Sequence, residues 1–252
     1  MFARFAGSVE DKGDHVLVKT PSNPGFHWGN FIIFDRAPRA GDLNKWKALF
    51  DREFPYASPH HYTFTWDTED NQPGEAQEFI NDGFELDSAV VLTAGALNPP
   101  PHPNSTIKIR KITTDEEWEQ AHRLQIATSD PKYFNEYYED FKRAQMLQYR
   151  KMSEAGLGYW FGAYSGVELV GDLGIFCENS IGRYQNVGTH PDFRGQGICG
   201  TLVYQAGLQA THEFDLHTLV MEADPEYHAA RIYESVGFKR TEVNHALSWW
   251  RR

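Results

Sequence analysis

Apolar residues recur along this chain in short blocks, and the period of recurrence switches repeatedly between two and about 3.6, the signature of strands alternating with amphipathic helices. In the second half, residues 106–112 (T-I-K-I-R-K-I) alternate and predict a strand, while 115–127 and 137–155 carry helical spacing. Residues 159–164 and 168–177 read as a hairpin turning at Ser165-Gly166. A strand at 184–189, a helix from about 195 to 214, a strand at 218–223, a helix at 227–236 and a last strand pair from Lys239 follow. The first half shows a shorter series: a strand at 29–35, a helix at 43–54, a strand at 61–66, a helix at 75–81 closing on Gly83-Phe84, and a strand at 88–93.

Between the two series lies N-P-P-P-H-P-N-S, residues 98–105. Consecutive prolines remove backbone donors and enforce an extended path, so this segment reads as a linker between a lobe of residues 1–97 and a domain of residues 106–252. With 40% hydrophobic and 14% aromatic residues in 252, both parts can bury a core.

The formal net charge of −11 argues against nucleic acid as a partner, because phosphate backbones are held by basic surface; it suits a cationic acceptor instead. The sequence has no apolar run of membrane-spanning length and no apolar leader after Met1, so no membrane partner is expected and the expected location is cytoplasmic. The two cysteines, Cys177 and Cys199, suggest no disulfide framework.

The chemistry concentrates in two stretches. Residues 188–200 read G-T-H-P-D-F-R-G-Q-G-I-C-G, a strand end breaking at Pro191 into a glycine-rich turn that opens a helix. Glycines let backbone N–H groups converge, and the helix adds its positive end, which together make a cradle for phosphate. Neither the G-K-[ST] ending of a nucleotide-binding loop nor a G-x-G-x-x-G dinucleotide fingerprint is present. Residues 220–238 read V-M-E-A-D-P-E-Y-H-A-A-R-I-Y-E-S-V-G-F.

Together these stretches resemble the two motifs of the GNAT superfamily of acyl-CoA-dependent N-acetyltransferases, R-x-x-G-x-G/A and N-x-x-A-x-x-x-Y-x-x-x-G-F. Arg194 and Gly197 fall in register with the first, and Ala229, Tyr233, Gly237 and Phe238 with the second. Cys199 replaces the usual small residue, and Glu226 replaces the usual Asn. The resemblance implies a mixed α+β GNAT fold, complete in 106–252 and preceded by a truncated, degenerate lobe. Gly83-Phe84 mirrors Gly237-Phe238 there, and Phe79, without a proton to donate, stands where the domain has Tyr233.

The resemblance further implies acetyl-CoA as cofactor and a primary amine, small molecule or peptide, as acceptor. Backbone groups of Val187, Gly188 and Thr189 would pair with the pantetheine arm. Those of Arg194, Gly195, Gln196, Gly197, Ile198, Cys199 and Gly200 would hold the pyrophosphate, with Glu226 and Ala229 also against the cofactor. Tyr233 is the expected general acid toward the thiolate. Glu222 is the expected base, with Asp224 and Glu178 as other candidates and a water chain as the alternative. Neither His190 and His228 nor the adjacent His60-His61 has metal-ligand spacing, so no metal is expected. A silent acyl-CoA sensor is the competing function, and a homodimer is left open.

Overall fold

The structure, a computed structural model, describes residues 1–57, 60–68, 71–225 and 229–251. It divides into two compact units: Met1–Ala89 with Glu242–Arg252, and Val90–Thr241. Residues 90–105 thus belong with the larger unit, and the last residues of the chain belong with the first.

The first unit runs α1 (Phe2–Ala6), β1 (Ser8–Asp11), β2 (His15–Lys19), β3 (Phe31–Phe34), α2 (Leu43–Glu53), β4 (His61–Trp66), α3 (Gln77–Asn81) and the opening of β5 (Glu85–Ala94). It is completed by most of β11 (Lys239–Trp250), antiparallel to β4. Strands β1, β2 and β3 form an antiparallel meander, whereas β3 and β4 run parallel because α2 carries the chain back across the sheet. The core is aromatic: Trp46 stacks on Phe34 at 3.8 Å between ring centroids, with Phe50, Phe64, Phe79 and Phe84 buried around it. Elements α1, β1 and β2 lie before the first one expected from the sequence. β1 is S-V-E-D, joined to β2 through its backbone, so its sequence carries little apolar alternation.

The second unit continues with β6 (Lys108–Lys111), α4 (Asp115–Ala127), α5 (Tyr138–Glu154), β7 (Gly158–Ser165), β8 (Glu168–Glu178), β9 (Ile181–Thr189), α6 (Ile198–Phe214), β10 (Thr218–Ala223) and α7 (Ala229–Ser235). A capping box starts α4: Thr114 Oγ1 accepts from the Glu117 N–H at 3.3 Å, and the Glu117 carboxylate accepts from the Thr114 N–H at 3.0 Å. The strand order is β5, β10, β9, β8, β7, β6, antiparallel except for the β9/β10 pair, which α6 connects. No helix among the described residues is long and apolar enough to cross a membrane.

The expected last strand pair from Lys239 is instead one strand, β11. Its twelve residues contain neither Gly nor Pro to turn them. The strand beside β10 comes from before the prolines: Ala94 pairs with Leu219 and Val90 with Ala223, antiparallel. Val90, Leu92 and Ala94 are buried there.

The two units share one helix ending. Gly83 at φ +92° lets the Phe84 N–H reach the Phe79 carbonyl at 3.0 Å. Gly237 at φ +109° lets the Phe238 N–H reach the Tyr233 carbonyl at 3.2 Å. Phe79 and Tyr233 therefore occupy corresponding places, as their spacing from the Gly-Phe pairs implies.

Candidate active site

Strands β9 and β10 pair only at Ile181/Thr218, Gly182/Leu219 and Arg183/Val220. Beyond Val220 they separate. The gap is a cavity of about 280 Å³ whose walls include Val187 from β9, Glu222 and Asp224 at the end of β10, and Ala229 and Tyr233 from α7.

A bulge in β9 shapes the cavity. Asp172 opposes Gly188 and Gly174 opposes Gln185, so Asn186 and Val187 together face the single residue Leu173, and Asn186 takes the left-handed conformation at φ +48°. Beneath the bulge lies a buried polar network. The Gln125 side-chain amide donates to Asp172 Oδ1 at 2.7 Å and to the Asn186 carbonyl at 2.8 Å, and Trp160 Nε1 donates to Asp172 Oδ2 at 2.9 Å. The Asn186 amide and Lys142 Nζ both donate to Gln145 Oε1, each at 3.2 Å. Burial raises Asp172 to about 7 against the opposing pull of Trp160, Gln125 and Lys142. Burial also lowers Lys142 to about 8, opposed by Asp172. None of these residues was singled out from the sequence, although Asp172 is the only charged side chain within the apolar stretch 169–177.

After β9 the chain makes a short helical turn, Pro191–Phe193, and then the glycine turn. Helix α6 begins at Ile198 rather than near 195, because Gly195 and Gly197 stand at φ +75° and +74°. A Cβ added at Gly195 would meet nothing within 4 Å, so the turn is open on that side. The first N–H groups of α6, from Ile198, Cys199 and Gly200, have no acceptors within the helix. This open, donor-rich turn fits a diphosphate. At Gly197 a Cβ would run into the His102 carbonyl oxygen, so the protein's own chain fills that space.

The remaining expected residues distribute as follows. Gly188 and Thr189 continue β9 past the bulge, and the Thr189 carbonyl accepts from Arg194 Nε at 3.3 Å. Glu222 Oε2 accepts from Arg183 Nη2 at 2.7 Å. Glu178 ends β8 at the turn into β9, outside the cavity lining. Burial pushes the Cys199 thiol up to about 12, which disfavours its thiolate. His190 Nδ1 accepts from the Asp192 N–H at 3.3 Å. Gln196 carries an exposed side chain in the glycine turn. Glu226 and His228 lie outside the described residues. Among the described residues, no three His, Cys, Asp or Glu side chains are gathered to hold a metal ion.

Residues 156–240 match the model of an acetyltransferase (GNAT) domain. Over this third of the chain the similarity is to a GNAT domain. The match takes in the bulge, the glycine turn and the Tyr233 helix.

Solved structures resemble the chain well beyond that segment. A functionally unknown conserved protein from Staphylococcus epidermidis aligns with a TM-score of 0.75 at 14% identity, over 98% of this chain and 95% of its own. A GCN5-related N-acetyltransferase from Kribbella flavida aligns with a TM-score of 0.65 at 13% identity, over 98% and 90%. A tandem GNAT protein from the clavulanic acid biosynthesis pathway aligns with a TM-score of 0.58 at 14% identity, over 87% and 75%. At these identities the likeness is one of fold. No curated protein sequence matches the chain.

Proposed function

We propose that the GNAT domain transfers the acetyl group of acetyl-CoA to a primary amine by direct attack. The observation that carries this reading is the convergence of Val187, Glu222, Ala229 and Tyr233, from three elements, on one cavity of about 280 Å³. The open, donor-rich glycine turn follows the same strand.

Bound acetyl-CoA would supply an activated acyl carbon and a sulfur leaving group. The backbone of Val187, Gly188 and Thr189 would hold the pantetheine arm, at the point where β10 has turned away. The Arg194 N–H is committed to the Pro191 carbonyl at 3.2 Å, so N–H groups from Gly195 to Gly200 would hold the pyrophosphate. Glu222, kept at the cavity wall by Arg183, takes the proton that the acceptor ammonium must lose before its nitrogen can attack. Tyr233 gives a proton to the sulfur as the carbon–sulfur bond breaks and the carbon–nitrogen bond forms. The net charge of −11 favours the approach of cationic amines.

The test is release of free thiol from acetyl-CoA in the presence of a panel of diamines, amino acids and lysine peptides, with acetylated product identified by mass. Turnover with at least one amine is expected. Tight binding of coenzyme A with no turnover across the panel would replace this reading with that of a sensor.

A further inference from the structure

The proline-rich segment does not behave as a spacer. It lies along both motif helices. The Asn98 N–H donates to the Val236 carbonyl at 3.0 Å, beyond the end of α7. A Cβ at Gly200 would stand 3.1 Å from the Pro100 side chain, and one at Gly197 would strike the His102 carbonyl. Asn104 then closes the strap. Its backbone N–H donates to Thr201 Oγ1 at 2.8 Å, and its Nδ2 donates to the Gln196 carbonyl at 2.8 Å. Its Oδ1 accepts from the N–H groups of Thr106 at 2.9 Å and Ile107 at 3.2 Å and from Thr106 Oγ1 at 2.9 Å.

The bond to Gln196 matters because of where it acts. The peptide joining Gln196 to Gly197 is bordered on one side by Gly197 at positive φ, and glycine resists rotation of a neighbouring peptide least of all residues. A peptide is planar and trans, so its carbonyl and N–H point in opposite directions. Fixing the Gln196 carbonyl toward Asn104 therefore aims the Gly197 N–H away from the strap.

We propose that Asn104 is a positioning residue for the cofactor turn: through the Gln196 carbonyl it sets the Gly197 N–H in the direction from which that group receives the cofactor's diphosphate. This rests on the acetyl-CoA reading above for the identity of the ligand. The strap geometry stands independently of that reading.

Asn104→Asp is the discriminating variant. One oxygen keeps the bonds to Thr106 and Ile107, while the other cannot donate to Gln196. In the full chain, coenzyme A should bind about tenfold more weakly to this variant by calorimetry, the loss of one aligned hydrogen bond and its pre-organisation. The Gly197 amide resonance of the ligand-free protein should shift. Thr106→Val, which removes a bond on the far side of Asn104, should leave both unchanged. Asn104→Ser, whose shorter side chain caps Thr106 without reaching Gln196 and brings no charge near the diphosphate, should show the same loss and the same amide shift, and it stands alone if Asn104→Asp fails to fold. Unchanged coenzyme A affinity in a folded variant overturns the proposal. If the unaltered chain binds no coenzyme A, the acetyl-CoA reading fails instead, and an unmoved Gly197 amide in the variant would then overturn the strap's control of the turn.

Discussion

Gln125 reaches from α4 to donate its amide to the Asn186 carbonyl at 2.8 Å, tying a helix to the bulge that opens the candidate active site. The same amide satisfies Asp172, so one side chain serves two buried acceptors. Gln125→Leu would leave a buried carboxylate oxygen and a backbone carbonyl without this donor. A loss of about 2–4 kcal/mol in urea unfolding is expected, larger than for an ordinary polar-to-apolar change, because both acceptors stay desolvated. A loss under about 0.5 kcal/mol would mean that water or another donor takes over.

Tyr233 is nearly buried at the wall of the cavity. With the phenol as proton donor to sulfur, Tyr233→Phe should lower kcat by roughly 10²- to 10⁴-fold while the Kd for coenzyme A stays within about twofold. Steady-state kinetics paired with calorimetry separates the two quantities. Unaltered kcat would make Tyr233 a packing residue, the part Phe79 plays in the first unit.

Acid should weaken the first unit through a pair of histidines. His27 and His61 stack with ring centroids 4.3 Å apart, and burial lowers His27 to about 4 and His61 to about 3. In the unfolded chain they titrate near the usual value of about 6.5. From that pH downward the unfolded state holds more protons, so their contribution is present above pH 6.5 and is lost as pH falls toward the folded values. The slope approaches about 1.4 kcal/mol per pH unit for each histidine. His27→Phe keeps a ring in the stack and should remove one histidine's share of the pH dependence of the urea midpoint between 6.5 and 4.5. Asp172 acts in the opposite sense, since its raised folded value means stability is lost as pH rises from about 4 to 7. Asp172→Asn should remove that trend, and a His27→Phe variant with an undiminished slope would show that His27 has no part in the loss of stability in acid.

A chain beginning at Asn104 should not fold as an independent acetyltransferase domain, although the motifs lie wholly within it. It lacks β5, and so lacks Val90, Leu92 and Ala94 from the core and leaves the edge of β10 unpaired. Burying side chains of this size is worth about 1.5–3 kcal/mol each for Val and Leu, and an open apolar edge invites aggregation. Aggregated material in size-exclusion chromatography, without a cooperative melt, is expected. A monomeric fragment with a sharp transition would show β5 to be dispensable.

The parts of this protein legible in its sequence are those whose chemistry is local. A glycine turn opening a helix needs glycines at fixed spacing, and the α7 ending needs Gly237 two residues after Ser235, so both motifs could be read and both meet the cavity or the turn in the structure. The alternation of strands and helices from 106 to 223 was likewise visible, because apolar period and turn residues mark each element locally. Strand partnership was not. Neighbouring strands recognise one another through backbone groups that nearly every residue carries, so nothing in residues 85–94 announces that their second half completes the sheet beside β10, or that β11 runs on to β4. The network of Gln125, Asp172 and Asn186 joins residues 47 and 61 positions apart, and no spacing rule spans such separations. The prolines of 98–105 announce a segment outside helix and sheet; that it straps the glycine turn was decided by tertiary packing, where a backbone with few donors of its own still offers carbonyls, a carboxamide and apolar rings to the helices beneath it.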